Sequence, residues 1–210
     1  MKREATTSLT LGAIERACFR LHKMLAEFVW DASCLEGNPF TFTEVQTIIA
    51  GVTVGGHRIS DQQQVLNLVE SSRRLLAMVR GESFSLSKLM ACEFHALVTQ
   101  RESPEPGHFR GKAANDVFYI GVTALNEQVD SAYERACAYF LFGSLQQFFV
   151  SGNKRTSRFM MNGVLMANGI DAICIPAARA EEFKEKIASF HLTRDGSEMM
   201  AMLWSCHPAS

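Results

Sequence analysis

The apolar positions of the chain recur at helical spacings over most of its length. The first apolar set is spaced alternately by three and four residues, which predicts one stripe along six or seven helical turns: Leu11, Ile14, Cys18, Leu21, Leu25, Phe28, Ala32 and Leu35. A Gly-Asn-Pro stop at 37–39 ends this helix, and further helical patterns cover 60–81, 86–100, 131–150, 154–168, 177–190 and 197–206. Ser60 and Asp61 are the capping candidates of the second helix. The pattern therefore predicts a mainly α-helical, single-domain protein.

The segment 101–130 is the exception to this pattern. It is rich in Gly, Pro, Asn and Asp, and it contains a short β-like run at 117–122. We therefore predict a loop that contains a short β-hairpin.

Composition narrows the classes of partner. The chain has 210 residues with 47% hydrophobic content, which is enough for one packed core. Its net charge is −1 and its basic residues are scattered, so no nucleic-acid or membrane partner is predicted. The six cysteines lack CxxC spacing, which favours reduced thiols over disulfides or a zinc site. Neither a leader pattern nor a membrane-span pattern is present, so we expect a soluble cytoplasmic protein.

The break between two late helices holds the candidate chemistry. Ser151 and Asn153 can each cap the following helix, and Gly152 lets the backbone approach a ligand. The helix then begins with three cations, which oppose the helix dipole and so need an anion: Lys154, Arg155 and Arg158. The two arginines share one face, and together with the free helical N–H groups they predict a phosphate site. The alternative is a capped core helix whose arginines pair with carboxylates of other helices.

The end of the first helix supplies a candidate anion. Glu36 lies in the last turn, where its carboxylate meets the negative end of the helix dipole. Since the apolar stripe ends at Leu35, Glu36 lies at the edge of the core, where an unpaired carboxylate would be costly. We therefore expect Glu36 to pair with Arg155 or Arg158.

These segments resemble the signature motifs of the Fic (Fido) family. The family motif HxFx(D/E)GN(G/K)RxxR is similar to QFFVSGNKRTSR at 147–158. The segment ASCLEGN at 32–38 resembles the inhibitory motif (S/T)xxxE(G/N) of members with an N-terminal inhibitory helix, although Ala32 stands at the Ser/Thr position. PGHFR at 106–110 resembles the family's PGxYR segment, which precedes a target-docking hairpin flap. The flap residues would be Val117, Phe118, Tyr119 and Ile120.

The resemblance, which extends over about residues 10–190, implies a fold and an activity. The fold is a single-domain, mainly helical Fic fold with a β-hairpin flap, in which 1–40 form the inhibitory-type helix and 41–210 the Fic core. Active members transfer AMP from ATP to a Ser, Thr or Tyr hydroxyl of a protein. The Doc branch, which has a lysine after the asparagine as at Lys154, transfers phosphate instead. A protein target and a homodimer are the implied partners.

The resemblance also assigns roles to the motif positions. Glu36 would pair with Arg158 and block the productive nucleotide pose. The residues that would contact the nucleotide are Ser151, Gly152, Asn153, Lys154, Arg155 and Arg158.

Two positions depart from the family motif. Gln147 replaces the histidine that acts as general base, and Ser151 replaces the acid that holds Mg²⁺. Glutamine does not accept a proton near neutral pH, and a neutral hydroxyl is a poor Mg²⁺ ligand, so we predict no metal site. Three hypotheses follow: an impaired or inactive adenylyltransferase, a non-catalytic module that binds a nucleotide or partner, and a Doc-like phosphotransferase.

Two histidines are candidates for a substitute base. His95 lies among apolar neighbours and is predicted to be a hydrogen-bonded core residue, and His108 lies in a loop and is predicted to be exposed.

Overall fold

The computed structural model describes the backbone of residues 2–208 and the side chains of residues 11–208. Within this part of the chain the secondary structure is entirely helical, which confirms the mainly α-helical part of the predicted fold class. A short 3₁₀ turn, Ala177–Arg179, precedes the ninth helix. The helices are α1 (Lys2–Lys23), α2 (Leu25–Cys34), α3 (Phe42–Ile49), α4 (Ile59–Arg80), α5 (Lys88–Val98), α6 (Lys112–Gln128), α7 (Ala132–Gln146), α8 (Asn153–Ala167), α9 (Ala180–Thr193) and α10 (Ser197–Ser205).

The helix α8 lies at the centre of the molecule, with every residue from 155 to 166 buried. One face, including Phe159 and Met160, packs into an apolar cluster with α1, α2, α4 and α5. The other face, including Met161 and Leu165, packs into a second cluster with α7, α9 and α10. Because apolar side chains cover both faces, the start of α8 is held from two sides.

The predicted N-terminal helix is two helices, α1 and α2, interrupted at Met24. Both pack into the cluster around α8, where Cys18 and Leu21 are fully buried and Phe28 meets Phe159 edge to face. The side chain of Asp31 is buried on α2, where it accepts hydrogen bonds from Ala177 N (2.7 Å) and the Cys174 thiol (3.1 Å). The end of α2 is therefore fixed against the segment that follows α8.

The predicted β-hairpin is wrong, since residues 112–128 form α6. Phe118 and Val122 are buried although Ile120 between them is exposed, which is the pattern of a helix, because a strand would place all three side chains on one face. Tyr119 and Ile120 are 56% and 72% exposed because they lie on the opposite face of the helix. Burial of the i, i+4 pair therefore outweighs the β propensity of the run.

Helix ends were predicted unevenly. The Ser131 hydroxyl caps α7 by accepting a hydrogen bond from Glu134 N. The caps predicted for α4, Ser60 and Asp61, are wrong because Arg58 occupies the N-cap position of that helix. The helix α3 was not predicted, although Thr41 and Glu44 form a reciprocal capping box at its start.

Glu44 also contacts His57 at 2.9 Å, and the hydrogen bonds from His57 and Thr41 lower the pKa of the Glu44 carboxyl to about 2.

The cysteines are all free thiols, as the sequence predicted. Within the described residues no helix is long and apolar enough to span a membrane.

Candidate anion-binding site

The start of α8 differs from the prediction in how it is capped. Gly152 occupies the N-cap position with a left-handed backbone (φ +67°) and no side chain caps the helix, so the caps predicted at Ser151 and Asn153 are wrong. Instead the Asn153 amide bonds both backbone groups of Phe149: its Nδ2 donates to Phe149 O (2.8 Å) and its Oδ1 accepts from Phe149 N (2.9 Å). Asn153 thus closes the loop between α7 and α8, which leaves the first amides of α8 without a side-chain cap.

The side chain of His95 on α5 fixes the backbone of the loop between α7 and α8. It is fully buried, and its ring stacks on Phe149 with centroids 3.8 Å apart. Its Nδ1 accepts from Gly107 N (2.8 Å), so the proton is on Nε2, which donates to Ser151 O (3.0 Å). Burial is the largest cause that lowers the pKa of His95 to about 4, and the nearby Arg155 charge adds to it. The prediction of a hydrogen-bonded core histidine is confirmed.

The structure brings Glu36 and Arg158 together. Arg158 Nη2 donates to Glu36 Oε1 at 2.9 Å and lies 3.4 Å from Ala32 O at the end of α2. Arg158 is only 7% exposed, and burial lowers the pKa of its guanidinium while the Glu36 carboxylate opposes that shift. Within the described residues its Nη1 has no hydrogen-bond partner. One half of the guanidinium therefore meets a carboxylate and the other half retains unused donors.

Arg155 turns toward a different carboxylate. Its Nη2 lies 2.8 Å from Glu102 Oε2, and its Nη1 donates to Glu102 Oε1 (3.1 Å) and to Val98 O (2.8 Å). Glu36 Oε2 is 3.9 Å from Arg155 Nε, which is outside hydrogen-bond range. Both arginines thus pair with carboxylates from outside α8, in the way the alternative describes, and the phosphate site stays a prediction. Glu102 was missed, since nothing in the turn-rich segment around it distinguishes it from Glu105.

The remaining motif positions lie at the surface. Gln147 is exposed in the left-handed region (φ +48°), where it ends α7, and Ser151 is also exposed. Lys154 is half-buried, and it forms no ion pair with the described residues. The loop therefore presents a neutral amide and a hydroxyl where the family motif has a base and an acid.

The donors around the start of α8 are poorly suited to Mg²⁺. The carboxylates beside the arginines, Glu36 and Glu102, are both engaged by guanidinium groups. Ser151 offers one neutral oxygen, whereas Mg²⁺ requires hard, usually anionic ligands. No group of three or more acid, histidine or cysteine side chains is arranged for a metal in the described part of the chain. These residues do not fit a divalent metal.

The residues predicted as a flap lie on α6. Phe118 is buried beneath this helix, whereas Tyr119 and Ile120 face outward. Val117 lines an open cleft beside the end of α7, together with Arg110, Ala113, Ala114, Gln146 and Phe148. Arg110 also bonds the loop after α7, because its N–H donates to Phe148 O (2.8 Å). The predicted flap residues therefore lie near Gln147 but on a helix.

Comparisons with known proteins identify the fold. No protein-family model and no curated protein matches the chain. Among solved structures, a fragment of Fic-1 from C. elegans matches with a TM-score of 0.79 and 19% identity over 97% of this chain and 70% of that one. A Fic-domain-containing signalling protein from Bacteroides thetaiotaomicron matches with a TM-score of 0.72 and 14% identity over 94% and 93% of the two chains.

A third solved structure agrees with these two. A Fic family protein from Desulfovibrio desulfuricans matches with a TM-score of 0.70 and 16% identity over 95% of this chain and 72% of that one. The chain therefore has the Fic (Fido) fold.

Proposed function

We propose that this Fic-fold chain, which resembles protein adenylyltransferases, still binds the phosphate group of a nucleotide at the start of α8 but transfers AMP poorly or not at all. The nucleotide is taken to be ATP or one of its relatives. Glu36 restrains the site, and the protein acts mainly as a binding module.

The contact between Glu36 Oε1 and Arg158 Nη2, at 2.9 Å, is the observation on which this proposal rests. A buried guanidinium is costly without an anion, and here the anion comes from the end of another helix. Because Arg158 follows closely on the uncapped start of α8, a phosphate at Arg158 could also accept from the first N–H groups of that helix. The unpaired Nη1 of Arg158 offers a further donor. The Glu36 carboxylate accordingly occupies a position that suits a phosphate oxygen.

The same geometry argues against efficient transfer. Gln147 cannot accept the proton of an attacking hydroxyl, and His95 is buried with both ring nitrogens engaged. A general base typically contributes ~10²–10⁴-fold, and the loss of a metal position removes a second source of charge stabilisation. Binding without transfer is the function that these residues suit best.

Incubation with ATP labelled separately on the α- and γ-phosphates, followed by intact-mass analysis, tests the transfer half of the proposal. We expect neither label on the protein or on lysate proteins. Robust α-label would indicate an adenylyltransferase, and γ-label would indicate a Doc-like phosphotransferase. Either result would contradict the proposal.

The binding half is tested by replacing Glu36 and titrating ATP in a thermal-shift assay. Glu36→Gly leaves Arg158 without its counter-ion, so the ligand-free protein should lose up to ~3–5 kcal/mol of unfolding free energy. ATP should then restore stability through mass action, by about 2.7 kcal/mol at a hundredfold excess over its Kd.

Glu36→Gln is the matched control because it keeps the shape and one hydrogen-bond acceptor but removes the charge. It should show a smaller loss of stability and an intermediate ATP response. If ATP shifts the Glu36→Gly protein no more than the wild type, Glu36 does not guard a nucleotide site.

A further inference from the structure

We propose that Glu102 is a specificity-determining residue of this site. By retaining Arg155 it leaves Arg158 as the one arginine available to a ligand, so that the site takes a nucleoside monophosphate without a divalent metal. This inference rests on the proposed function, since it names the class of nucleotide that the same site accepts.

Glu102 and Arg155 form a bidentate ion pair. Both carboxylate oxygens face the guanidinium, at 2.8 and 3.1 Å. Bidentate pairs of this kind are the strongest side-chain hydrogen bonds because both groups are charged and their planar geometries match. The Arg155 side chain is 7% exposed and that of Glu102 is 19% exposed, so water screens the guanidinium more weakly than the carboxylate.

A third group fixes the Glu102 carboxylate in place. Asn67 Nδ2 donates to Glu102 Oε1 at 2.8 Å and to Gln100 O at 2.9 Å. Asn67 is itself buried, and its Oδ1 accepts from Gln63 Nε2 at 2.8 Å. Because Glu102 is held by an amide network as well as by the arginine, it cannot swing away without leaving several polar groups unpaired.

Arg155 is also tied to the backbone. Its Nη1 donates to Val98 O, the last helical carbonyl of α5, which lies at the negative end of that helix. A phosphate that recruited Arg155 would have to break this bond and the bidentate pair, and it would leave the Glu102 carboxylate without its cation.

Glu36 holds Arg158 less firmly. It makes one hydrogen bond to that guanidinium, at 2.9 Å, and its other oxygen is 3.9 Å from Arg155 Nε. It lies in the turn after α2, and no amide side chain holds it among the described residues. A ligand phosphate can therefore displace Glu36 from Arg158 while Arg155 stays with Glu102.

The charges at the site then select the ligand. A phosphate monoester carries a charge of about −1.5 to −2 at pH 7, which one guanidinium and the N–H groups at the start of α8 can balance. A triphosphate carries more charge, which Mg²⁺ normally offsets with the help of carboxylate ligands; here Ser151 stands at the acid position, and the carboxylates nearby are paired with arginines. The added phosphates would therefore bring negative charge that no metal in this site offsets.

Calorimetric titration with inorganic phosphate, AMP, ADP and ATP, each with and without Mg²⁺, tests the proposal on the wild-type protein. We expect AMP to bind more tightly than ATP by about tenfold, which corresponds to ~1.4 kcal/mol, and Mg²⁺ to leave this ratio unchanged. Inorganic phosphate should bind more weakly than AMP because it lacks the nucleoside. Tighter binding of ATP with Mg²⁺ than of AMP would overturn the monophosphate assignment but leave the proposed function standing. Absence of binding by every nucleotide, in the wild type and in Glu36→Gly, would overturn both.

Glu102→Gln tests the role of the residue itself. Glutamine can keep the contact with Asn67 but lacks the charge that retains Arg155, so the preference for AMP over ATP should shrink or reverse. Glu105→Gln is the matched control, since Glu105 is an exposed acid of the same loop with no ion pair among the described residues, and it should leave the ratio unchanged. An unchanged ratio in a folded Glu102→Gln protein would overturn the role of Glu102. The wild-type nucleotide series decides the ligand class even if that variant does not fold.

Discussion

Arg155 and Arg158 lie three residues apart on one helix, yet they have different partners. Arg158 faces the end of α2 and meets Glu36, whereas Arg155 faces the end of α5 and meets Glu102. On an α-helix, residues three apart are rotated by roughly 60° from one another, which is enough to direct two long side chains to different neighbours. Two arginines of the same motif can therefore differ in how available they are to a ligand.

His95 gives the loop before α8 a measurable pH dependence. Its pKa is about 4 in the folded protein, below the ordinary value of 6.5, so the unfolded chain binds a proton first as the pH falls. The stability due to neutral His95 is complete above pH 6.5 and is lost between pH 6.5 and 4, by up to ~3 kcal/mol.

Urea unfolding at several pH values should show this loss, and His95→Gln should remove most of the slope between pH 6.5 and 4. A slope that is equal in both proteins would assign the effect to other groups.

Individual residues illustrate what sequence could and could not predict at this scale. The need of Arg158 for an anion follows from local rules, because cations at a helix start oppose its dipole, and Glu36 was the natural candidate. Glu102 could not be found in this way, since its pairing depends on how α5 and α8 pack. The burial of His95 was predictable from its apolar neighbours, but its bonds to Ser151 and Gly107 depend on the fold.

At the scale of elements, Gly152 allows α8 to start close to α5. A Cβ at this position would lie 2.3 Å from Thr99 Cγ2, and Thr99 cannot rotate freely because its hydroxyl donates to His95 O at 2.6 Å. The positive φ of Gly152 adds a backbone penalty for any other residue.

Gly152→Ala should therefore lower the unfolding free energy by ~1–3 kcal/mol through the clash, in addition to the cost of the backbone conformation. Gly51→Ala is the matched control, because Gly51 also has a positive φ (+85°) but no atom within 4 Å of an added Cβ. The difference between the two variants isolates the steric term. Equal losses in thermal or urea unfolding would show that Thr99 adapts to the extra atom.

The segment 117–122 shows why an element can be assigned to the wrong class. Its aromatic and β-branched residues favour a strand, and the turn formers before it favour a hairpin. The burial of Phe118 and Val122 against α7 and the loop after it settles the conformation, and this packing is not encoded in the segment itself.

For the whole molecule, the position of the site follows from the central helix. Apolar residues lie on nearly every face of α8, and the two clusters on either side bury it. The N-terminal helices are part of the same core, because Cys18 and Leu21 are fully buried in it. Glu36 is therefore positioned by the folding of the molecule as a whole.

A double variant that restores the histidine and the acid of the family motif tests whether the fold supports AMP transfer. Gln147 and Ser151 are exposed, so Gln147→His with Ser151→Asp should leave the core intact. The left-handed backbone at Gln147 (φ +48°) also tolerates histidine, which is enriched in that region.

The double variant should add a general base and a carboxylate for Mg²⁺, which would raise AMP transfer from α-labelled ATP by ~10²–10⁴-fold over the wild type if the rest of the site is competent. Transfer should rise further when Glu36→Gly is combined with it, because Arg158 is then free. Gln147→His alone is the matched control and should give a smaller gain, since it supplies the base without the metal ligand. A folded triple variant that binds ATP with Mg²⁺ but transfers no label would show that the target groove or the nucleotide pose also prevents the reaction, and the retention of Arg155 by Glu102 is the cause we would test first. Adding Glu102→Gln to that variant should then produce transfer.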